Sequence, residues 1–349
     1  MPDMTPSNRH WADHRAMSSM RAIIPAAGVG TRMRPLTHSR PKVLLPVAGR
    51  PILGHLISDL AAAGIHEITL VVGHYGEMVE QYCRRSFPEV RFRFVWQHER
   101  LGLGHAIGEA ISPDDEGLLV VLGDTLFSGD LGQFTGEEAA VGVVEVEDPR
   151  RFGVAVVEED RIIHLEEKPQ EPRSNLALIG IYYFPDAAAV KGAVQRLVRE
   201  DRRTRGEYQI TDAMQLMIEE GLPFRAVKMD EWFDCGVPEM LIETNRILLE
   251  GRPGLQNIPE EVRNGNVIVP PVAIGPGVKI VRSIIGPNVH IGSGCTIEES
   301  IIAESILDDE CAVEGVRLRG AVLGVATTLR REPVMVMLGD HNQVASKSE

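Results

Sequence analysis

Cysteine is scarce in this chain. Four residues in 349, Cys83, Cys235, Cys295 and Cys311, lie far apart and form no Cys-x-x-Cys pair. That spacing argues against a disulfide framework or a structural zinc site and fits a reducing, cytoplasmic setting. No apolar run approaches the roughly 20 residues that a membrane-spanning helix requires. Residues 1–19 lack a signal-peptide core and read as a disordered leader in which Met20 could be a natural start. Positive charge is in the minority, with 36 Lys and Arg against 50 Asp and Glu and a net charge of −14. No long basic run occurs, so neither nucleic acid nor an anionic membrane surface is expected as a partner.

What is present is ordinary globular composition, 44% hydrophobic and 25% charged, at a length that suggests two domains. The most informative stretch runs from Arg21 to Leu53, RAIIPAAGVGTRMRPLTHSRPKVLLPVAGRPIL. Ala22-Ile23-Ile24 reads as a buried strand, followed by the small-residue loop Ala26 to Thr31 and two cations, Arg32 and Lys42. Residues with little side chain let consecutive backbone N–H groups form a concave nest for phosphate oxygens, and the cations can neutralise what the nest holds. Two common phosphate loops do not fit. A dinucleotide fingerprint needs glycine where Met33 stands, and a Walker loop needs Gly-Lys-Ser/Thr where the chain has Gly30-Thr31-Arg32.

The strings GVGTRMRPLT and RPKVLLPVAGRPIL together resemble the signature of the sugar-1-phosphate nucleotidylyltransferases over more than thirty consecutive positions. The resemblance implies that Ala26, Gly28, Gly30 and Thr31 bind a nucleoside triphosphate, that Arg32 assists pyrophosphate departure and that Lys42 contacts phosphate. One departure is visible: Ala26-Ala27 stands where many members carry Ala-Gly, a change of one methyl group.

Downstream, helices are expected at 51–63, 77–83 and 104–110, and strands at 68–72, 90–97 and 118–122. This alternation argues for an open α/β sheet with mainly parallel strands, whose ligands sit beyond the carboxyl ends of the strands. Gly28, Gln97 and Asp124 each follow a strand end and could converge on one crevice. Alone, Gln97 is a solvated amide and Asp124 either a helix cap or a metal ligand. The resemblance implies that Gln97 and Gly102 contact the base and that Asp124 holds magnesium. Further on, two strands meet at the polar turn 158–161, and the run FGV, EEKP, SN and a Gly-Ile-Tyr strand follows the family's sugar-binding order. By resemblance Gly153, Glu167 and Leu178 hold the sugar, while Lys168 and Arg205 hold its phosphate. A helix follows Arg205, capped by Thr211 or Asp212. Glu231 to Glu239, EWFDCGVPE, resembles the family's second acidic motif, which makes Asp234 the partner of Asp124 on Mg²⁺; a helix over 239–250 closes the domain.

From about residue 253 aliphatic residues recur six apart: Ile268, Ile274, Ile280, then Ile285, Ile291, Ile297, then Leu307 and Val313. That period marks a hexapeptide β-helix of three or four coils. Slips of the register at Ser283–Ile285 and near Ile302 read as corner insertions, and 318–329 as a final strand or helix packing back. Coils of this kind also occur in acyltransferases that use a histidine and acetyl-CoA, and His290 is the one histidine in the repeats.

The expected organisation is a leader over 1–20, a nucleotidylyltransferase domain of Rossmann-like open mixed sheet over 21–252, a short left-handed hexapeptide β-helix over 253–330, and a tail over 331–349. The closest pattern in the family is the long form of glucose-1-phosphate thymidylyltransferase, which implies dTTP and glucose 1-phosphate as substrates and Mg²⁺ as cofactor. Uridylyl or guanylyl transfer to glucose or mannose 1-phosphate, and a catalytically silent sugar-nucleotide sensor, are the alternatives. A homo-oligomer is expected.

Overall fold

Ala22 and Ile24 pack into one apolar core and Ile23 into another, because successive residues of the first strand point to opposite faces of a sheet covered on both sides. The structure, a computed structural model, describes residues 20–331. The strands β1 (Arg21–Pro25), β4 (Glu67–Val72), β5 (Arg91–Trp96) and β6 (Leu118–Val121) pair in parallel in the order β5-β4-β1-β6. Ile68, Leu70 and Val72 repeat the alternation against Val71, which explains why these strands read as unbroken apolar runs. Helices Ile52–Ala62, Gly76–Ser86 and Pro238–Gly251 cover one face; Leu103–Ala110, Ala187–Arg199 and Ile210–Glu219 cover the other. The second helix is longer than the expected 77–83 and starts after Tyr75, at φ 61°.

The expectation of a mainly parallel sheet holds only for this half. Beyond β6 the sheet continues through β11 (Leu176–Phe184), β8 (Ala139–Glu145), β12 (Phe224–Lys228), β10 (Arg161–Glu167) and β9 (Gly153–Glu158), nine strands in all. There every pairing but β12–β8 is antiparallel. The physical reason is short connection: β9 and β10 meet in a tight turn at Glu159 and Asp160, which leaves no room for a crossover helix. Two small two-stranded sheets complete this part. The hairpin β2 (Pro46–Val47) and β3 (Arg50–Pro51) follows Lys42, and β7 (Thr125–Ser128) pairs antiparallel with β13 (Glu231–Asp234). Met20, assigned to the leader from sequence, is buried in the core.

From Val267 the chain winds through twelve short strands, β14 to β25, that form three four-stranded parallel sheets. One side stacks β14 (Val267–Ile268), β17 (Ile284–Ile285), β20 (Ile301–Ala303) and β23 (Arg317–Arg319). The next stacks β15 (Val272–Ile274), β18 (Val289–Ile291), β21 (Ile306–Leu307) and β24 (Val322–Leu323). The third stacks β16 (Lys279–Val281), β19 (Thr296–Glu298), β22 (Ala312–Glu314) and β25 (Thr328–Arg330). The inward ladders are the aliphatic residues of the sequence pattern: Ile274, Ile291 and Leu307 on one side, Ile280, Ile297 and Val313 on another. The register slips are corner deletions, not insertions. The ladder Ile268–Ile285–Ile302–Leu318 shows Ile285 five residues after Ile280, and Ile302 five after Ile297. Residues 318–329 do not fold back; they form the fourth rung. All four cysteines are free and buried. The tail beyond residue 331 and residues 1–19 lie outside the described residues.

Candidate active site

Because β1, β4, β5 and β6 run parallel, their carboxyl ends open on one side, and the loops after them build adjoining pockets there. The loop after β1 turns at Gly30, where φ is 65° and a Cβ would stand 3.0 Å from the methyl of Thr37. Thr37 Oγ1 donates to Gly30 O at 2.8 Å and fixes that turn. Gly28, by contrast, faces open space and leaves the backbone bare. A pocket of about 360 Å³ is lined by Ala26, Gly28, Lys42, Gln97, Gly102 and Asp124. The crevice expected from strand ends is therefore formed, and of the residues that the resemblance placed around a nucleotide it is lined by Ala26, Gly28, Gln97 and Gly102. Gly102, at φ 118°, packs its α-carbon against the Tyr208 backbone, where a Cβ would come within 2.6 Å of the carbonyl oxygen.

A second pocket, about 420 Å³, is lined by Arg32, Gly153, Glu167, Lys168, Leu178 and Asp234, again with Asp124. Leu178 lies where β11 shifts register against β8; Gly180, at φ 83°, takes up the irregularity beneath the Leu122 side chain. Glu167 ends β10 with its carboxylate almost enclosed: Lys168 Nζ donates to Oε1 at 2.6 Å and Thr211 Oγ1 to Oε2 at 2.7 Å. Thr211 and Asp212 do not cap their helix as expected. That helix begins at Ile210 after Gln209, without a side-chain cap, and the Thr211 hydroxyl is used on Glu167 instead. Arg205 lines neither pocket; its guanidinium donates to Lys168 O at 2.8 Å. Gly30 and Thr31 also stay off both walls.

The two pockets share a wall that contains Asp124, and the charges there are arranged closely. Lys42 Nζ donates to Asp124 Oδ2 at 2.6 Å, with the lysine side chain only 9% exposed. Asp234 ends β13 opposite Thr125, and Cys235 N donates to Asp124 O at 3.2 Å, so both carboxylates stand at one end of the β7–β13 ribbon. Burial raises the pKa of the Asp234 carboxyl and the Asp124 charge raises it further, while Lys42, Arg32 and Arg151 pull it back. Among the described residues no three His, Cys, Asp or Glu side chains form a ready-made metal cage. Two carboxylates whose mutual repulsion is only partly balanced nevertheless fit Mg²⁺, which binds through one or two carboxylates together with substrate phosphates.

Sequence reasoning missed several lining residues. Trp232 and Phe152 line the second pocket, pack edge to face at 4.9 Å, and leave the Trp232 indole N–H buried without a partner. Arg100 and Glu207 line the first pocket from loops with no periodic signal. Trp232 could have been noticed, since an aromatic two residues before a candidate metal ligand projects from the same side of the strand. His290 is buried at the joint with the β-helix and accepts from Gly49 N at 3.0 Å, which leaves it unavailable as an acyl-transfer base.

The sequence model of one family, described as nucleotidyl transferase, matches residues 21–251, the whole stretch that carries both pockets. The chain belongs to that family. Within it, the chain is similar to the glucose-1-phosphate thymidylyltransferase of Streptomyces antibioticus, 33% identical over 94% of this chain and 100% of that protein. It is also similar to UTP–glucose-1-phosphate uridylyltransferase AglF of Haloferax volcanii, 35% identical over 66% of this chain and 97% of that one. A solved structure of a UDP-glucose pyrophosphorylase complexed with UDP-glucose superposes with a TM-score of 0.57 at 28% identity, covering 67% of this family member and 99% of that chain. No described helix is long and apolar enough to cross a membrane.

Proposed function

We propose that this protein transfers a nucleotidyl group from a nucleoside triphosphate to a sugar 1-phosphate and releases pyrophosphate. The observation that carries the reading is the wall shared by the two pockets, where Asp124, Lys42 and Asp234 lie together. One pocket takes the triphosphate with its base against Gln97 and Gly102; the other takes the sugar 1-phosphate. A phosphate oxygen of the sugar 1-phosphate attacks the α-phosphorus in line, the bond from that phosphorus to the α–β bridging oxygen breaks, and pyrophosphate leaves with the electron pair.

Two anions have to meet, so the protein's task is positioning and charge cancellation rather than covalent chemistry. Arg32 stabilises the departing pyrophosphate. Lys42, released in part from Asp124, screens the triphosphate, and Lys168 holds the sugar phosphate, while Arg205, outside the pocket, bonds the Lys168 carbonyl. Glu167, already carrying the Thr211 hydroxyl, accepts sugar hydroxyls on its remaining lone pairs, with the Gly153 and Leu178 backbone beside it. Asp124 and Asp234 would hold Mg²⁺, which when bound neutralises phosphate charge and polarises the phosphoryl group.

For the finer assignment we favour dTTP and glucose 1-phosphate, since the thymidylyltransferase relative matches along its whole length, β-helix included, while the uridylyltransferase matches two thirds of this chain. A matrix of four triphosphates against several sugar 1-phosphates, scored by pyrophosphate release, tests this; absence of release in every cell overturns the transferase reading and leaves the silent sensor. We further read the β-helix as left-handed and as an assembly surface. Val267, Ile284 and Ile301 stack in register on one outer face and are 55%, 38% and 37% exposed. A monomeric mass by light scattering, unchanged by Ile284→Lys, would count against assembly.

A further inference from the structure

The segment that carries Lys42 is fastened to the β-helix at both ends. Just before Lys42, Arg40 Nη1 donates to Asp308 Oδ2 at 2.6 Å, and the pair is largely enclosed, with side chains 17% and 5% exposed. Asp308 follows β21 directly, and its other carboxylate oxygen accepts from Asp309 N at 2.8 Å, so its orientation is set by the coil. Just after Lys42, in the β2–β3 turn, Gly49 N donates to His290 Nδ1, and Ala48 N donates at 2.9 Å to Asn245, whose amide donates in turn to Asn288 O on the coil. Apolar contacts accompany these bonds. Gly49 lies against Ala273, Leu36 against Gly324, and the core of the α/β part includes Ala273 and Ile306 from the coils. The α/β part holds the middle of the same segment: His55 Nε2 bonds Val47 O at 2.8 Å, Ile52 N donates to Leu45 O at 3.1 Å, and Val43, Leu44 and Leu45 are buried in its core, so the coil adds its bonds at the two ends.

We infer that Asp308 and His290 are positioning residues for Lys42: the β-helix holds the ends of the 40–49 segment and thereby sets where the Lys42 ammonium meets Asp124 and the triphosphate. This rests on the transferase reading of the site. Physically, a loop cation that reaches a phosphate contributes most when its backbone is already fixed, and a displacement of about 1 Å at such a group can cost on the order of 10²-fold in rate. The Arg40–Asp308 pair suits the task because a partly enclosed, directional charge pair fixes geometry better than an exposed one. His290 suits it because an enclosed neutral imidazole is obliged to find a partner for Nδ1, and Gly49 N supplies it.

The test uses the full chain with Mg²⁺, the triphosphate and sugar 1-phosphate that the wild type turns over, and four variants: Arg40→Gln, Asp308→Asn, both together, and Arg40→Lys. Melting curves establish that each is folded at the assay temperature. Should Asp308→Asn fail to fold, Arg40→Gln, altered on the more exposed partner, carries the experiment. The expected result is a fall in kcat of about 10- to 100-fold in each single variant, with the double variant no slower than the worse single and Arg40→Lys recovering most of the rate. KM for the sugar 1-phosphate should stay within about twofold, since nothing in its pocket is touched. In parallel, hydrogen exchange should accelerate at the Leu44 and Leu45 amides, which bond to Pro41 O and Lys42 O, and not in the central strands. Turnover unchanged, with or without faster exchange, overturns the inference, as do losses that add in the double variant. If the wild type releases no pyrophosphate, the functional reading falls by itself. Exchange and Mg·dTTP affinity then decide the clamp separately, and values equal to wild type in Arg40→Gln overturn it.

Discussion

The Lys42 ammonium lies 2.6 Å from the Asp124 carboxylate, at the wall where the two pockets meet. Residues 82 apart in sequence thus share one charge-assisted hydrogen bond at the centre of the site. Replacing Lys42 with Met should lower kcat/KM for the triphosphate by about 10²–10³, the usual scale for removing one preorganised charged donor. Near-wild-type pyrophosphate release by that variant would remove Lys42 from the mechanism.

Asp124→Asn and Asp234→Asn should each lower turnover on the order of 10²–10³ and weaken the Mg²⁺ dependence of triphosphate binding. Asp234 has its pKa raised by burial and by Asp124, so it stays protonated to a higher pH than an ordinary aspartate. Apparent Mg²⁺ affinity should accordingly decline on acidification from a midpoint above 3.8, the ordinary aspartate value. Magnesium titrations of turnover across that range report it, and two fully active variants would refute the metal assignment.

Gly102→Ala places a methyl group against the Tyr208 backbone and asks a non-glycine residue to hold φ 118°. The strain should cost about 1–3 kcal/mol and displace the turn that lines the first pocket. Denaturant melts and KM for the triphosphate, expected to rise while KM for the sugar 1-phosphate holds, measure the two effects.

Trp232→Phe keeps an aromatic ring against Phe152 and deletes a buried indole N–H that has no partner among the described residues. A substrate acceptor satisfies such a donor, so its loss should raise KM for the sugar 1-phosphate by roughly tenfold, the equivalent of about 1.4 kcal/mol. A KM identical to wild type would show that the N–H meets no substrate atom.

Stability should depend on pH through two buried histidines. Burial lowers the pKa of His55 and of His290 to about 4 from the ordinary 6.5. Both are neutral when folded and take up protons on unfolding between those values. Their contribution is therefore fully present above pH 6.5 and is lost, by about 1.4 kcal/mol per pH unit for each, as pH falls toward 4. Buried carboxyls with raised pKa, Asp59 and Asp308 among them, act with the opposite sign, becoming favourable as pH falls through their folded values. The difference between wild type and His55→Gln in urea melts from pH 4 to 7 isolates one histidine, and a constant difference across that range would contradict the assignment.

Much of the site was legible because phosphate chemistry constrains local sequence. A strand, bare backbone and two cations occur within about twenty residues of one another, which suggests an anion site, and the roles of Gly28, Arg32 and Lys42 in it are what the family resemblance implies. Thr211 was read as a cap because its hydroxyl sits at a helix start; only the approach of β10 shows that it serves Glu167. The open mixed sheet came with the resemblance; the strand pattern alone read as mainly parallel, because alternating apolar strands look alike in either direction and strand direction is set by connections across the fold. The corner deletions had the same origin, since a slip in a six-residue pattern shows where the period breaks and not which way the corner bends.

The amino-acid sequence by itself determined the strand–loop chemistry, the covered sheet and the coil with its inward aliphatic ladders, because each depends on neighbours within a few residues or on a fixed period. Tertiary structure alone decided which carboxylate Lys42 meets, that Asp124 and Asp234 share one end of a ribbon, and that Arg40 and Gly49 are tied to the β-helix. Those pairings join segments from 82 to 268 residues apart, and at such separations only the folded chain brings the charges into contact.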